Sequence, residues 1–134
     1  MKSLSPIAIL AITLALVSGC RSGENPALID LPPREFSAQI KAKGDSVLLV
    51  DVRTPEEFRS GHLPGALLLD FQSPAFAAEA AKLPREKQIY VYCRSGRRSK
   101  ASAPVFRDAG FPQVRNLAGG IAGWREAGLP VTED

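Results

Sequence analysis

Ile89-Tyr90-Val91-Tyr92-Cys93-Arg94-Ser95-Gly96-Arg97-Arg98-Ser99 is the stretch that decides how this chain folds. Four apolar residues in a row read as a strand buried on both faces. A cysteine closes the run, a turn containing Gly96 follows, and residues 99–109 read as a helix ended by Gly110. That succession aims several backbone N–H groups and a helix N-terminus at one sulfur. Such a site stabilises a thiolate or a bound anion, which makes Cys93 a candidate nucleophile.

The flanking sequence repeats the same alternation. Residues 47–51 (Val-Leu-Leu-Val-Asp) form a second continuous apolar run, and residues 27–30, 66–69 and 114–117 read as shorter strands. Pro32-Pro33 opens a helix over 35–43 that stops at Gly44, and Ser73-Pro74 opens another that runs to Leu83. Thr54-Pro55-Glu56-Glu57 is a capping box for a short helix ending near Ser60, and residues 121–127 form the last helix. Strands and helices in alternation predict an α/β fold: a parallel sheet with helices on both faces. In such sheets the working groups sit at the carboxyl ends of strands. Cys93 lies at one such end, and Asp51-Val52-Arg53 at another. Pro104 falls inside the helix after the loop, where a missing hydrogen bond predicts a bend over 100–104.

Charge is distributed unevenly. Between Lys87 and Arg107 there is no acidic residue, while Arg94, Arg97, Arg98 and Lys100 crowd the stretch after Cys93. A positive field beside a thiol recruits anions and favours the thiolate, so a small anionic substrate is expected. The formal net charge of +3 is too weak to argue for nucleic acid, and no nucleic-acid motif is present. With one histidine and two cysteines the chain lacks the ligands of a zinc site, so no metal or cofactor is expected.

Residues 1–19 read as an export signal: Lys2, an apolar run over 7–17, then Val17-Ser18-Gly19 before Cys20. The run is too short to span a hydrocarbon core about 30 Å thick. The last four of these residues resemble a bacterial lipobox, which implies cleavage before Cys20 and attachment of lipid to it. Residues 20–26 would then be a tether and 27–134 the folded domain. The expected location is the periplasmic face of a bacterial membrane, the outer membrane if the host is Gram-negative. With Cys20 blocked, Cys93 is the one remaining thiol in an oxidising compartment, a liability unless it is used.

Four segments, in order, resemble the rhodanese family of sulfurtransferases in its single-domain form. They are Leu49-Val50-Asp51-Val52-Arg53 with Glu56-Glu57-Phe58, Gly61-His62-Leu63-Pro64-Gly65-Ala66, the loop from Cys93 to Ser99, and Asn116-Leu117-Ala118-Gly119-Gly120-Ile121-Ala122-Gly123-Trp124. The likeness covers about residues 27–130. It implies a five-stranded parallel sheet and a Cys93 persulfide, loaded by a small sulfur donor such as thiosulfate and unloaded by cyanide or a thiol. It also implies substrate contacts from Arg94, Ser95, Gly96, Arg97, Arg98 and Ser99. Arg94 and Arg97 are the expected partners of departing sulfite, with Arg98 turned inward as a brace. Relatives of the fold that are phosphatases or arsenate reductases have five residues between cysteine and arginine; here that position is Ser99, and Arg98 leaves only four. A non-catalytic module that binds a partner or senses redox state is the other alternative.

The remaining polar residues read as supports. Asp51 and Arg53 are expected to brace a loop, with Glu57 a partner for Arg53. His62 is expected to make structural hydrogen bonds, Trp124 to pack beneath the C-terminal glycines, and Phe71 to wall the site.

Overall fold

In the computed structural model, which describes residues 27–134, ten elements alternate along the chain. They are β1 (Leu28–Leu31), α1 (Pro33–Lys43), β2 (Val47–Asp51), α2 (Pro55–Arg59), β3 (Leu67–Leu68), α3 (Phe76–Ala80), β4 (Gln88–Tyr92), α4 (Arg97–Asp108), β5 (Val114–Leu117) and α5 (Gly120–Glu126). All strand pairs are parallel, in the order β1-β5-β4-β2-β3, so β4 is the central strand. The expected five-stranded α/β sheet is what forms. The proposed leader, tether and lipid-bearing Cys20 lie outside the described residues.

Alternation along β4 divides the core in two. Ile89, Val91 and Cys93 face a cluster completed by Phe76 of α3 and Ala103 and Phe106 of α4. Tyr90 and Tyr92 face the opposite cluster, with Phe36 of α1 and Ile121 and Trp124 of α5. A strand apolar on both sides therefore holds two helical layers. Its last step places the sulfur under α4 rather than under α5.

Some boundaries differ from the sequence reading. β3 pairs only through Leu67 and Leu68, with Val50 and Asp51 of β2. Ser73 opens a turn, its Oγ accepting from Ala75 N at 3.2 Å, and the helix proper begins three residues later at Phe76. Helix α4 starts at Arg97, two residues earlier than expected, because Gly96 at φ 107° caps it directly after the loop. It continues unbroken through Pro104, whose ring sits on the exposed face. Lacking an N–H, Pro104 leaves the Lys100 carbonyl without its usual donor.

Candidate functional site at the carboxyl end of the central strand

Cys93 leaves β4 at the sheet's midpoint, and its backbone is gripped from the α5 side. Ile121 N donates to the Cys93 carbonyl at 2.9 Å, and Ala122 N to the Arg94 carbonyl at 3.1 Å. This approach requires glycine at position 120. A Cβ built there would lie 2.4 Å from Arg94 C and O and 2.6 Å from Cys93 O. The Gly119-Gly120 pair thus lets the start of α5 dock onto the loop.

From the other side the loop curls over the sulfur. Gly96 N donates to Cys93 Sγ at 3.0 Å, and Ser99 Oγ stands 3.4 Å from the sulfur and 3.1 Å from Gly96 O, so its one proton can go to either and turns to the sulfur when that is a thiolate. Ser102 Oγ in turn donates to Ser99 O at 2.6 Å. Burial pushes the Cys93 thiol up. The Ser99 hydroxyl and the amides of Ser99, Gly96 and Ser95 outweigh that and hold it below an ordinary thiol. The result is a buried cysteine disposed to be a thiolate.

Ser99→Ala removes one of these stabilising partners from a wholly buried position. The thiol should titrate at higher pH, so its thiolate fraction near neutrality falls and alkylation by iodoacetamide slows several-fold. An unchanged pH–rate profile would contradict this assignment.

The arginines expected around the loop divide into two groups. Arg94 and Arg97 are exposed, and neither has a side-chain acceptor among the described residues. Arg98 is turned away: Nη1 and Nη2 donate to Glu57 Oε1 and Oε2 at 2.7 and 2.9 Å. This fork holds the Glu57 carboxyl down at about 2. Arg98 therefore links the loop to α2, and its charge is already engaged by Glu57 rather than free for the substrate contact the resemblance implied.

Glu57 is not the partner of Arg53, contrary to the sequence expectation. Arg53 instead folds back on Asp51, with Nε at 3.0 and 3.1 Å and Nη2 at 2.7 Å from the carboxylate. Its Nη2 also reaches Gly61 O at 2.7 Å. Two residues apart at a strand end, the short Asp51 side chain can accept from both the Arg53 backbone and guanidinium, whereas Glu57 has left on α2. The guanidinium carbon lies 5.6 Å from the centre of the Tyr92 ring. Tyr92 Oη, in turn, accepts from Leu63 N at 3.0 Å, so this buried pair fixes the loops around β2.

His62 is buried and stacked on Phe58 at 3.7 Å, with Nδ1 2.9 Å from Phe58 O and Nε2 2.7 Å from Asp134 O. It joins the C-terminal tail to the chain after α2. Trp124 is buried and donates from Nε1 to Pro130 O at 2.9 Å. Phe71 packs edge-on against Phe76 at 5.1 Å.

One supporting residue had no assigned role in the sequence reading. Asn116, wholly buried on β5, donates from Nδ2 to Asp30 Oδ1 at 2.7 Å. The same nitrogen would sit 3.8 Å from a Cβ at Gly96, so this amide forms the floor beneath the loop. Only the strand order β1-β5-β4 brings Asp30 and Asn116 beneath the turn, and local sequence does not carry that information.

The family model for the rhodanese-like domain matches residues 32–127. The chain belongs to the rhodanese-like family. A sulfurtransferase from Allochromatium vinosum is 37% identical over 97 residues, covering 72% of this chain and 89% of that protein. Thiosulfate sulfurtransferase 16 of Arabidopsis thaliana is 34% identical over 92 residues, covering 61% of this chain and 77% of that protein. Several other relatives are longer, and this chain spans between 23% and 56% of their length. Among solved structures, a rhodanese-related protein from Thermoplasma volcanium superposes with a TM-score of 0.68 at 25% identity, over 79% of this chain and 99% of that one. The sulfurtransferase relatives support sulfur transfer at the level of the family.

Among the described residues of this rhodanese-like domain, two of the openings differ in their relation to Cys93. A cavity of about 410 Å³ lies toward the amino ends of β2 and β4, beside Val47, Lys87 and Trp124, away from the reactive thiol. A cleft of about 320 Å³ lies between α2 and α5 and includes Arg94 of the loop. The second is the one adjoining the chemistry.

Proposed function

We propose that this rhodanese-like domain is a sulfurtransferase that carries sulfane sulfur on Cys93, from thiosulfate or a similar anionic donor to cyanide or a thiol. The observation that carries the reading is the Gly96 N–H aimed at Cys93 Sγ at 3.0 Å, within a loop that favours the thiolate.

The steps follow from the loop's polarity. The Cys93 thiolate attacks the outer sulfur of thiosulfate, a new S–S bond forms, and sulfite departs with the electrons of the old one. The amides of Ser95, Gly96 and Ser99 remain pointed at the sulfur and stabilise the charge of the resulting persulfide. Exposed Arg94 and Arg97 supply positive charge to the leaving sulfite. A nucleophilic acceptor then attacks the outer persulfide sulfur, and Cys93 leaves as the thiolate it was. A phosphatase reading has less support, because Arg98, the arginine nearest that spacing, is engaged by Glu57.

Export through the apolar leader and tethering through lipid on Cys20 complete the proposal, which places the reaction at the periplasmic face of a bacterial membrane. Thiocyanate should form from thiosulfate and cyanide, with no hydrolysis of a phosphate ester. Phosphate release without thiocyanate would overturn the assignment, and neither activity would favour a binding module.

A further inference from the structure

The cleft between α2 and α5 holds more positive charge than the protein itself uses. Two of the charged side chains lining it are already paired, Arg53 with Asp51 and Glu57 with Arg98. Arg94 and Arg125 also line it, and neither has a side-chain acceptor among the described residues.

Arg125 is exposed, and its guanidinium lies over the Gly61 backbone. Its Nη2 lies 2.6 Å from where a Cβ at Gly61 would stand, so the guanidinium rests on a backbone that only glycine leaves bare. The Gly61 carbonyl beneath it is tied to Arg53 Nη2 at 2.7 Å, which fixes this seat to the buried Asp51–Arg53 pair. An exposed arginine lining an open cleft, with no side-chain acceptor among the described residues, is available to an anion from outside.

Cys93, Gly96 and Ser99 do not line this cleft, whereas Arg94 next to the nucleophile does. The cleft is therefore beside the sulfur rather than around it. An inorganic donor that reacts at the sulfur needs only Arg94 of this cleft and leaves Arg125 unused. A longer molecule can react at Cys93 while its tail occupies the cleft.

We propose that Arg125, with Arg94, forms a carboxylate subsite that selects the sulfur acceptor, a small thiol bearing a carboxylate a few bonds from its sulfur. This inference rests on the sulfurtransferase reading above. The acceptor's thiolate attacks the outer sulfur of the Cys93 persulfide. The new bond joins acceptor sulfur to sulfane sulfur, the Cys93 S–S bond breaks, and the electron pair returns to Sγ. No external oxidant or reductant enters.

The test uses 3-mercaptopropionate and neutral 2-mercaptoethanol as acceptors, after loading the protein with thiosulfate. Arg125→Ala should lower kcat/KM for the charged thiol about tenfold relative to the neutral one, the scale of one charge-assisted hydrogen bond. The change should fall on KM, Arg125→Lys should recover part of it, and Arg125→Glu should exceed it. A purely structural role would slow both thiols equally, and that result, or no change in either, would overturn the subsite. Those results leave thiosulfate loading intact and sink only the subsite. Failure of thiosulfate to load Cys93 in the unaltered protein would remove the sulfur-transfer reading and the subsite together.

Discussion

Gly120→Ala is expected to destabilise the domain by several kcal/mol and to abolish loop function in whatever fraction still folds. At φ 61° an alanine costs about 1–2 kcal/mol for backbone conformation alone. Its methyl would also lie 2.4 Å from Arg94 C and O, and main chain cannot swing aside as a side-chain tip can. Relief requires α5 to retreat, breaking the Ile121–Cys93 and Ala122–Arg94 hydrogen bonds of 2.9 and 3.1 Å. Overpacking of this sort adds about 1–3 kcal/mol, against a total stability of about 5–15 kcal/mol for a typical domain. Gly65→Ala is the comparison, since φ is 81° there but nothing lies within 4 Å of a new Cβ. Urea unfolding should show the conformational cost alone for Gly65→Ala and a much larger loss for Gly120→Ala. Equal losses would contradict the packing of α5 on the loop that follows Cys93.

Asp51→Ala should be comparably severe, for an electrostatic reason. The Asp51 and Arg53 side chains are 0% and 5% exposed, so deletion leaves a guanidinium buried with only the Gly61 carbonyl as acceptor. Breaking a buried pair in this way costs about 3–5 kcal/mol. The double change Asp51→Ala with Arg53→Met should recover much of that, because it removes the stranded charge. Lys100→Ala, which breaks an exposed pair with Asp30, should cost less than about 1 kcal/mol. Thermal unfolding of the three variants checks the order. A double variant no more stable than Asp51→Ala would show that the loss comes from something other than the uncompensated charge.

These two residues show what sequence could and could not convey. Strand β2 lies at the bounds its apolar run indicates, and β4 differs by one residue, because a strand covered on both faces has little polar ambiguity. The same clarity located Cys93, since a buried run must end where it meets a polar turn. Elements with less to bury were less legible. β3 is two residues long because only Leu67 and Leu68 reach pairing positions on β2, and the alanine-rich segment after Ser73 sustains only five helical residues.

Partnerships across the site depended on topology. Arg98 meets Glu57 across 41 positions of sequence, and Asn116 meets Asp30 across 86, both through the order of strands rather than any local spacing. Glu57 was assigned to Arg53 because the two are near in sequence. The helical rise over Pro55–Arg59 carries that carboxylate toward the loop, leaving Asp51 as the nearer base for Arg53. The Gly119-Gly120 pair was legible as a motif, but its cause, contact with the Cys93-Arg94 backbone, was not.

Mass spectrometry of the purified protein after thiosulfate treatment tests the proposed sulfur-carrying role of the buried Cys93 most directly. The account predicts a gain of one sulfur atom on the peptide containing Cys93, removable by cyanide and absent from Cys93→Ser. An unmodified Cys93 after exposure to thiosulfate, in a protein whose thiol titrates no lower than an ordinary one, would contradict it.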